Sequence, residues 1–352
     1  MDNTFRCSLK RHVFYWSVLL AMAVGLFGAV SAAGQTAALG TNGAGLHAKP
    51  EGVATITISA HVDPFMTYSN ASYGTGGIAL RNRGTGVLHV SGVTGYVQDA
   101  YLYWAILFNT TLPAKELYSA HLSRLFPYPD VVENFEGGVW LEGILLKIGS
   151  DPCWGSKGIA VFRAQVPTWL AIGNGAYQVT IASGLTDGSD PWLTSEVYPL
   201  AEGASLVIVG GGDYTVGIYD AGFTATTFGK TGPQTLTYTL KLPGTVTTDA
   251  LWDNIGADGQ AAGGPRGASG RFDTSSDTSE TTTINSVAIA GPGGLDNDSD
   301  WNGSAGLPIP QLWDDTGHDI FAALDGSPTT AVISFYTITD CLATVSNVLA
   351  VY

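Results

Sequence analysis

The sequence predicts an all-β protein, an antiparallel jelly-roll-like β-sandwich in one large unit or two tandem halves, with one short helix. Three observations carry that expectation. Glycine is abundant, at 46 residues, while charged residues make up only 13% of the chain, so lysine-rich amphipathic helices are not the building material. Short apolar runs recur between glycine- and threonine-rich turns, about fifteen of them along the chain. Strand signals follow one another without intervening helical periods, which favours antiparallel pairing over a parallel sheet.

The first 32 residues read as a segment outside that fold. Arg6, Lys10 and Arg11 precede an uncharged apolar run over 13–30, and Val30-Ser-Ala32 and Ser31-Ala-Ala33 place small residues at cleavage positions. This is the layout of a secretory signal peptide. An uncleaved anchor is the competing reading, because the run reaches the lower edge of a membrane span. Small residues at its end and the Gly/Ala/Thr-rich stretch over 33–51, read as a flexible leader, favour cleavage and an extracellular or cell-surface location. No later stretch is long and apolar enough to span a bilayer. The two expected sandwich halves then cover 52–200 and 201–352.

The chain carries 15 basic and 30 acidic residues. Loss of the signal removes three basic residues and Asp2, leaving 12 against 29. Such a surface repels nucleic acid and anionic lipid and favours cations. Cys7 leaves with the signal, so Cys153 and Cys341 remain. In an oxidising compartment an even pair points to one disulfide, and two buried thiols are the alternative.

Along the chain, Ile56 and Ile58 alternate with polar residues as in a half-buried strand, and the run 100–108 is apolar throughout, as in a strand covered on both faces. Pro113 followed by Leu117, Tyr118, His121, Leu122 and Leu125 has helical spacing, stopped by Pro127 and Pro129, with His121 on the apolar face as a packed core residue. Strand signals return over 138–148 and 159–162, and Tyr177, Val179 and Ile181 alternate. The runs 204–209 and 215–219 flank Gly210-Gly-Gly-Asp213 and read as a hairpin. Leu236, Tyr238, Leu240 and Leu242 alternate, and 255–270 and 273–283 read as surface loops.

Nucleotide signals fail on their spacing. Val207-Ile-Val-Gly-Gly-Gly212 has Thr215 where the third glycine belongs, and a strand follows where a helix is needed. Gly229-Lys-Thr231 has Thr224 where a phosphate loop needs glycine. No G-x-S-x-G occurs, and paired carboxylates cannot be recognised from spacing alone.

The stretch Gly294-Leu-Asp-Asn-Asp-Ser-Asp-Trp-Asn-Gly303 carries a more specific pattern. Asp296, Asp298 and Asp300 alternate, Asn302 can add an oxygen, and Gly303 permits a sharp turn, so the group reads as a calcium site. Trp301 and Leu307 occupy the positions where an EF-hand has glycine and glutamate, so it is not one. A solvated acidic turn is the competing reading. Trp301, Trp313, Asp314 and His318 are ligand-binding candidates, with Trp154 and Trp192 as further stacking surfaces; the alternative is that the tryptophans cover the ends of the sandwich.

Tyr101-Leu-Tyr-Trp104, Val161-Phe-Arg-Ala-Gln-Val-Pro-Thr-Trp-Leu170 before Gly173-Asn-Gly-Ala-Tyr-Gln-Val179, Gly203-Ala-Ser-Leu-Val-Ile-Val209, and Leu312-Trp-Asp314 with His318-Asp319 occur in this order. In these motifs the chain resembles uncharacterised secreted or cell-surface β-sandwich modules of bacteria and archaea, with Gln165 where that pattern has aspartate. The resemblance implies a non-enzymatic extracellular module and supplies no catalytic residue. Two functions follow. One is a calcium-stabilised binding or surface-structural module for an extracellular glycan or surface protein. The other is a secreted hydrolase acting on polysaccharide through paired carboxylates.

Overall fold

The computed structural model describes residues 54–125, 135–191, 194–220, 223–259, 280–291, 300, 301, 303, 305, 312–324, 326, 328–338 and 340–352. The segments read as a signal peptide and leader lie outside these residues, as do Trp192, Asp296, Asp298 and Asn302. The described residues fall within one compact unit, Lys49–Tyr352.

Three sheets hold the described strands. The large sheet runs β17 (Trp313–Asp319), β14 (Ala250–Ala257), β19 (Leu342–Val351), β11 (Tyr214–Tyr219), β2 (Met66–Ala79), β10 (Leu200–Gly211), β4 (Asp99–Phe108), β8 (Gly158–Gln165) and β7 (Ile144–Gly149), with the short β12 (Thr227–Phe228) beside β19. A second sheet runs β1 (Ala54–Val62), β13 (Gln234–Lys241), β18 (Thr330–Thr337), β15 (Thr281–Ile284) and β16 (Val287–Ala290). The third runs β3 (Thr85–Val90), β9 (Gly175–Ile181), β5 (Ser119–Leu125) and β6 (Phe135–Glu142). Among the described strands β1 and β13 pair in parallel and the other pairs are antiparallel, in keeping with the predicted all-β, antiparallel class.

The cores show how the sheets stack. Leu102, Trp104 and Ile106 of β4 point one way, with Phe162 of β8, onto Tyr177 and Val179 of the third sheet. The intervening Tyr101, Tyr103, Ala105 and Leu107 point the other way, with Val161 and Val207, onto Val345, Val348 and Ala350 of β19. On its far face β19 joins Trp252 of β14 in covering Tyr238, Ile333 and Phe335 of the second sheet. The large sheet therefore folds over on itself, and its two leaves are each covered by a smaller sheet. This is why β4 and β19 are buried at nearly every position, with Thr344, Ser346 and Asn347 as internal polar groups of β19, whereas β9 and β13 alternate.

The strand that turns the large sheet is β2. Its first part, Met66 to Ala71, pairs with β11, and its later part, Ala71 to Ala79, pairs with β10. At the change of partner Asn70 takes a left-handed conformation at φ 52°, tolerable for its short polar side chain. The expected boundary between residues 200 and 201 falls at the start of β10, whose neighbours are β2 and β4.

Several expectations are corrected. The segment after Pro113 is a single 3-10 turn, Lys115–Tyr118, followed by strand β5. Tertiary pairing with β6 and β9 overrides the helical spacing, and Ala120 and Leu122 point inward while His121, half-buried, meets the edge of Trp140. The expected hairpin around Gly210 is absent: β10 and β11 both pair with β2, which lies between them. There Gly212 crosses Ala71 with room for no side chain, the Ala71 carbonyl oxygen lying 2.6 Å from where a Cβ would stand. The run 138–148 breaks at Gly143 into β6 and β7, which belong to different sheets. Residues 255–257 and 281–283, expected in loops, lie in β14 and β15. Among the described residues no helix is long and apolar enough to cross a membrane.

Candidate functional site

Trp313–Asp319 is the edge strand β17, paired with β14 from Ala257↔Trp313 to Leu251↔Asp319. Strand alternation then decides where each candidate points. Trp313 and Asp315 face the inside of the folded large sheet, whereas Asp314 and His318 face the second sheet.

Both candidate tryptophans are 0% exposed. Trp301 lies over Gly256 and meets Phe228 and Phe335 edge-on, at 5.7 and 5.1 Å between ring centres. Trp313 lies over Gly203 and donates from Nε1 to Ser205 Oγ at 3.0 Å. Glycine on the facing strand admits each indole, and Gly143 does the same for Trp104. The faces of Trp301 and Trp313 are thus covered by the protein itself. Asp314 is buried and accepts a hydrogen bond from Gly303 N–H at 2.6 Å, fixing the turn after Trp301. His318, stacked near Trp252 with ring centres 6.0 Å apart, pairs through Nε2 with Asp300 Oδ1. The other oxygen of Asp300 is buried without a hydrogen-bond partner. The structure therefore brings Asp300, Trp301, Asp314 and His318 to one edge of the fold. Asp296, Asp298 and Asn302 lie outside the described residues.

Two buried ionisable groups escaped sequence reading. On the inner face of β14 and β17, Asp253 and Asp315 stand near Tyr73 and Thr75 of β2 and Ser205 of β10. Burial raises both carboxyls, Asp315 to about 7. The one signal available was a charge inside the apolar stretch Ala250-Leu-Trp-Asp-Asn-Ile255. In the second group Arg81, Glu202 and Asp258 are buried. Arg81 pairs with Glu202, and its guanidinium lies 4.2 Å from the Trp154 ring centre. Trp154 Nε1 donates to Asp258 Oδ1 at 2.5 Å. Burial raises Glu202 to about 6, against the opposing pull of Arg81, and raises Asp258 as well.

This second group is closed over by the loop carrying Cys153, which is disulfide-bonded to Cys341 with the Cα atoms 6.0 Å apart. Asp151 organises that loop by accepting from the backbone N–H groups of Trp154, Gly155 and Ser156 and from Lys230 Nζ at 2.8 Å. Those hydrogen bonds and Lys230 outweigh burial and hold Asp151 below the usual carboxylate range.

Fold and site together define a layered all-β sandwich with several charged groups, Arg81, Glu202, Asp253, Asp258, Asp300 and Asp314 among them, built into its interior. No family model matches the chain, and no curated protein matches it. Among solved structures it is similar to a quasi-atomic model of the PBCV-1 virus capsid, at 11% identity over 80% of this chain and 93% of that one, with a TM-score of 0.18. That score is too low for the two folds to be equated.

Proposed function

We propose that the protein is an exported, calcium-stabilised β-sandwich module that binds an extracellular glycan or a surface protein and catalyses no reaction. The observation that carries this reading is the Cys153–Cys341 disulfide, a bond that persists in oxidising compartments and agrees with the secretory layout of the N-terminus. Calcium is supported by the alternating Asp296, Asp298 and Asp300 and by the buried, unpartnered oxygen of Asp300, the kind of group a bound cation satisfies.

With Trp301 and Trp313 spent on packing, aromatic contact to a ligand falls to the exposed rings. Tyr96 is 95% exposed, Trp140 69% and Trp169 63%. Such rings offer flat apolar faces to sugars and to protein partners alike. The hydrolase reading is less well supported. Its best carboxylate pair, Asp253 and Asp315, has the Asp315 oxygens sealed from solvent, whereas a glycosidase needs both acids to reach across an open cleft.

A glycan-array screen of the mature protein, with calcium and with chelator, tests the proposal. The expected result is calcium-dependent retention on a subset of glycans, lost in Trp169→Ala or Trp140→Ala while the fold is kept. Release of shortened sugars from a polysaccharide, abolished by Asp253→Asn, would overturn the non-enzymatic reading.

A further inference from the structure

Asp253 and Asp315 occupy a position that neither the calcium reading nor the binding reading explains. In the β14–β17 register Asp253 opposes Gly317 and Asp315 opposes Ile255, so the two acids are diagonal neighbours on one face. Side chains at such positions reach each other. That face looks into the fold-over of the large sheet. Across it stand Tyr73, Thr75 and Gly77 of β2 and Ser205 of β10, all on the face that also carries Ala71, Ala79 and Val207. The approach is close: a Cβ on Gly77 would stand 2.7 Å from Asp315 Cβ and 3.0 Å from Ser205 Oγ.

The hydrogen bonding is lopsided. Asp253 accepts from the Tyr73 hydroxyl and, at 3.3 Å, from Thr75 Oγ1, so neutral donors serve both its oxygens. Both oxygens of Asp315 are sealed from solvent without a hydrogen bond of ordinary geometry, and the nearby Ser205 and Thr75 hydroxyls only partly offset its burial. Among the described residues no lysine or arginine pairs with either acid. The other charged or titratable groups nearby are Tyr214, which donates to Asp249 and lies beyond Tyr73, and the His318–Asp300 pair on the opposite face of β14 and β17. Two carboxylates placed this way cannot both ionise without a large cost, and a single proton relieves it.

We propose that Asp253 and Asp315 form a proton-operated latch that holds the edge strand β17 against β2 when protonated and loosens the fold-over when both acids are charged. Burial and then the neighbouring Asp253 charge push Asp315 up to about 7. A carboxyl raised in the folded state stabilises it fully below the ordinary carboxylate range, and that stabilisation is lost as pH rises through about 7. The latch thus has the opposite sign to ordinary acid denaturation. It is independent of the glycan-binding reading, whose failure would show in the array and leave this pH dependence intact.

The test is thermal and urea unfolding of the mature protein between pH 5 and pH 8, in chelator and in calcium, for wild type, Asp315→Asn and Asp253→Asn. In wild type the unfolding equilibrium constant should be on the order of tenfold or more larger at pH 8 than at pH 5. Asp315→Asn, which mimics the protonated acid, should flatten that dependence and be the more stable protein at pH 8. Should Asp315→Asn fail to fold, Asp253→Asn removes the repulsion but leaves the burial, and should weaken the dependence and move it to lower pH. An unchanged pH dependence in both variants overturns the proposal. So does a calcium-induced rise in the wild-type midpoint that Asp315→Asn abolishes, because the pair would then be a cation site.

Discussion

Replacing Trp313 with alanine should lower the stability of the protein by about 3–5 kcal/mol, the range for deleting a large buried aromatic. The indole is 0% exposed and sits inside the fold-over, against Gly203 of β10. Gly203 has no side chain with which to fill the vacated space, so the cavity cannot collapse from that side. The change also strands Ser205, whose hydroxyl accepts from the indole N–H in a buried setting. Urea denaturation measures the loss, with Trp169→Ala as the comparison. Trp169 is largely exposed, so its truncation should stay within about 0.5 kcal/mol of wild type. If the two variants were equally mild, Trp313 would not be the core residue that its packing indicates.

The second large effect belongs to the disulfide. Cys153 and Cys341 are separated by 188 positions, and the chain-entropy account assigns a loop of that size about 5 kcal/mol, an upper figure. The double variant Cys153→Ser, Cys341→Ser should lose about 2–5 kcal/mol. The native state gives a reason to expect less than the maximum. Asp151, Lys230 and Trp154 anchor the same loop by hydrogen bonds that survive without the sulfurs. Unfolding curves of wild type with and without reductant, beside the double variant, check this. Reductant should move only the wild-type curve.

Much of the fold was legible in the sequence because period-two alternation and continuous apolar runs report burial directly. Tyr177, Val179 and Ile181 mark β9, and the unbroken apolar run of β4 announces a strand covered on both sides. What misled was spacing without a partner. Leu117, Tyr118, His121 and Leu122 satisfy a helical period, but Ala120 and Leu122 equally satisfy a strand, and only the presence of β6 and β9 decides between them. Likewise the glycines at 210–212 signal a turn, while nothing local says that β2 will enter between the flanking strands.

The site was legible in composition and illegible in orientation. Aspartates and tryptophans were found in one segment, and their density suggested ligand contact. The facing glycines, Gly203 and Gly256, lie far from that segment in sequence, so no local pattern could show that both indoles are core groups. Asp253 and Asp315 were missed for a related reason. They lie on different strands and meet only through the β14–β17 register. The pairing of Asp300 with His318 likewise depends on β17 being a strand, which its polar sequence hides.

The central claim is that this acidic segment is a calcium-dependent part of a rigid exported scaffold, and thermal unfolding of the mature protein tests it most directly. A ligand held only by the folded state stabilises it by about 2.7 kcal/mol at a hundredfold excess over Kd. Calcium should therefore raise the unfolding midpoint, chelator should lower it, and magnesium should do much less, because an irregular oxygen cage suits the larger, looser shell of calcium. Asp298→Asn should remove most of the calcium effect without weakening the protein in chelator. Coincident unfolding curves in calcium and in chelator would contradict the claim and return the segment to an acidic turn with no bound ion.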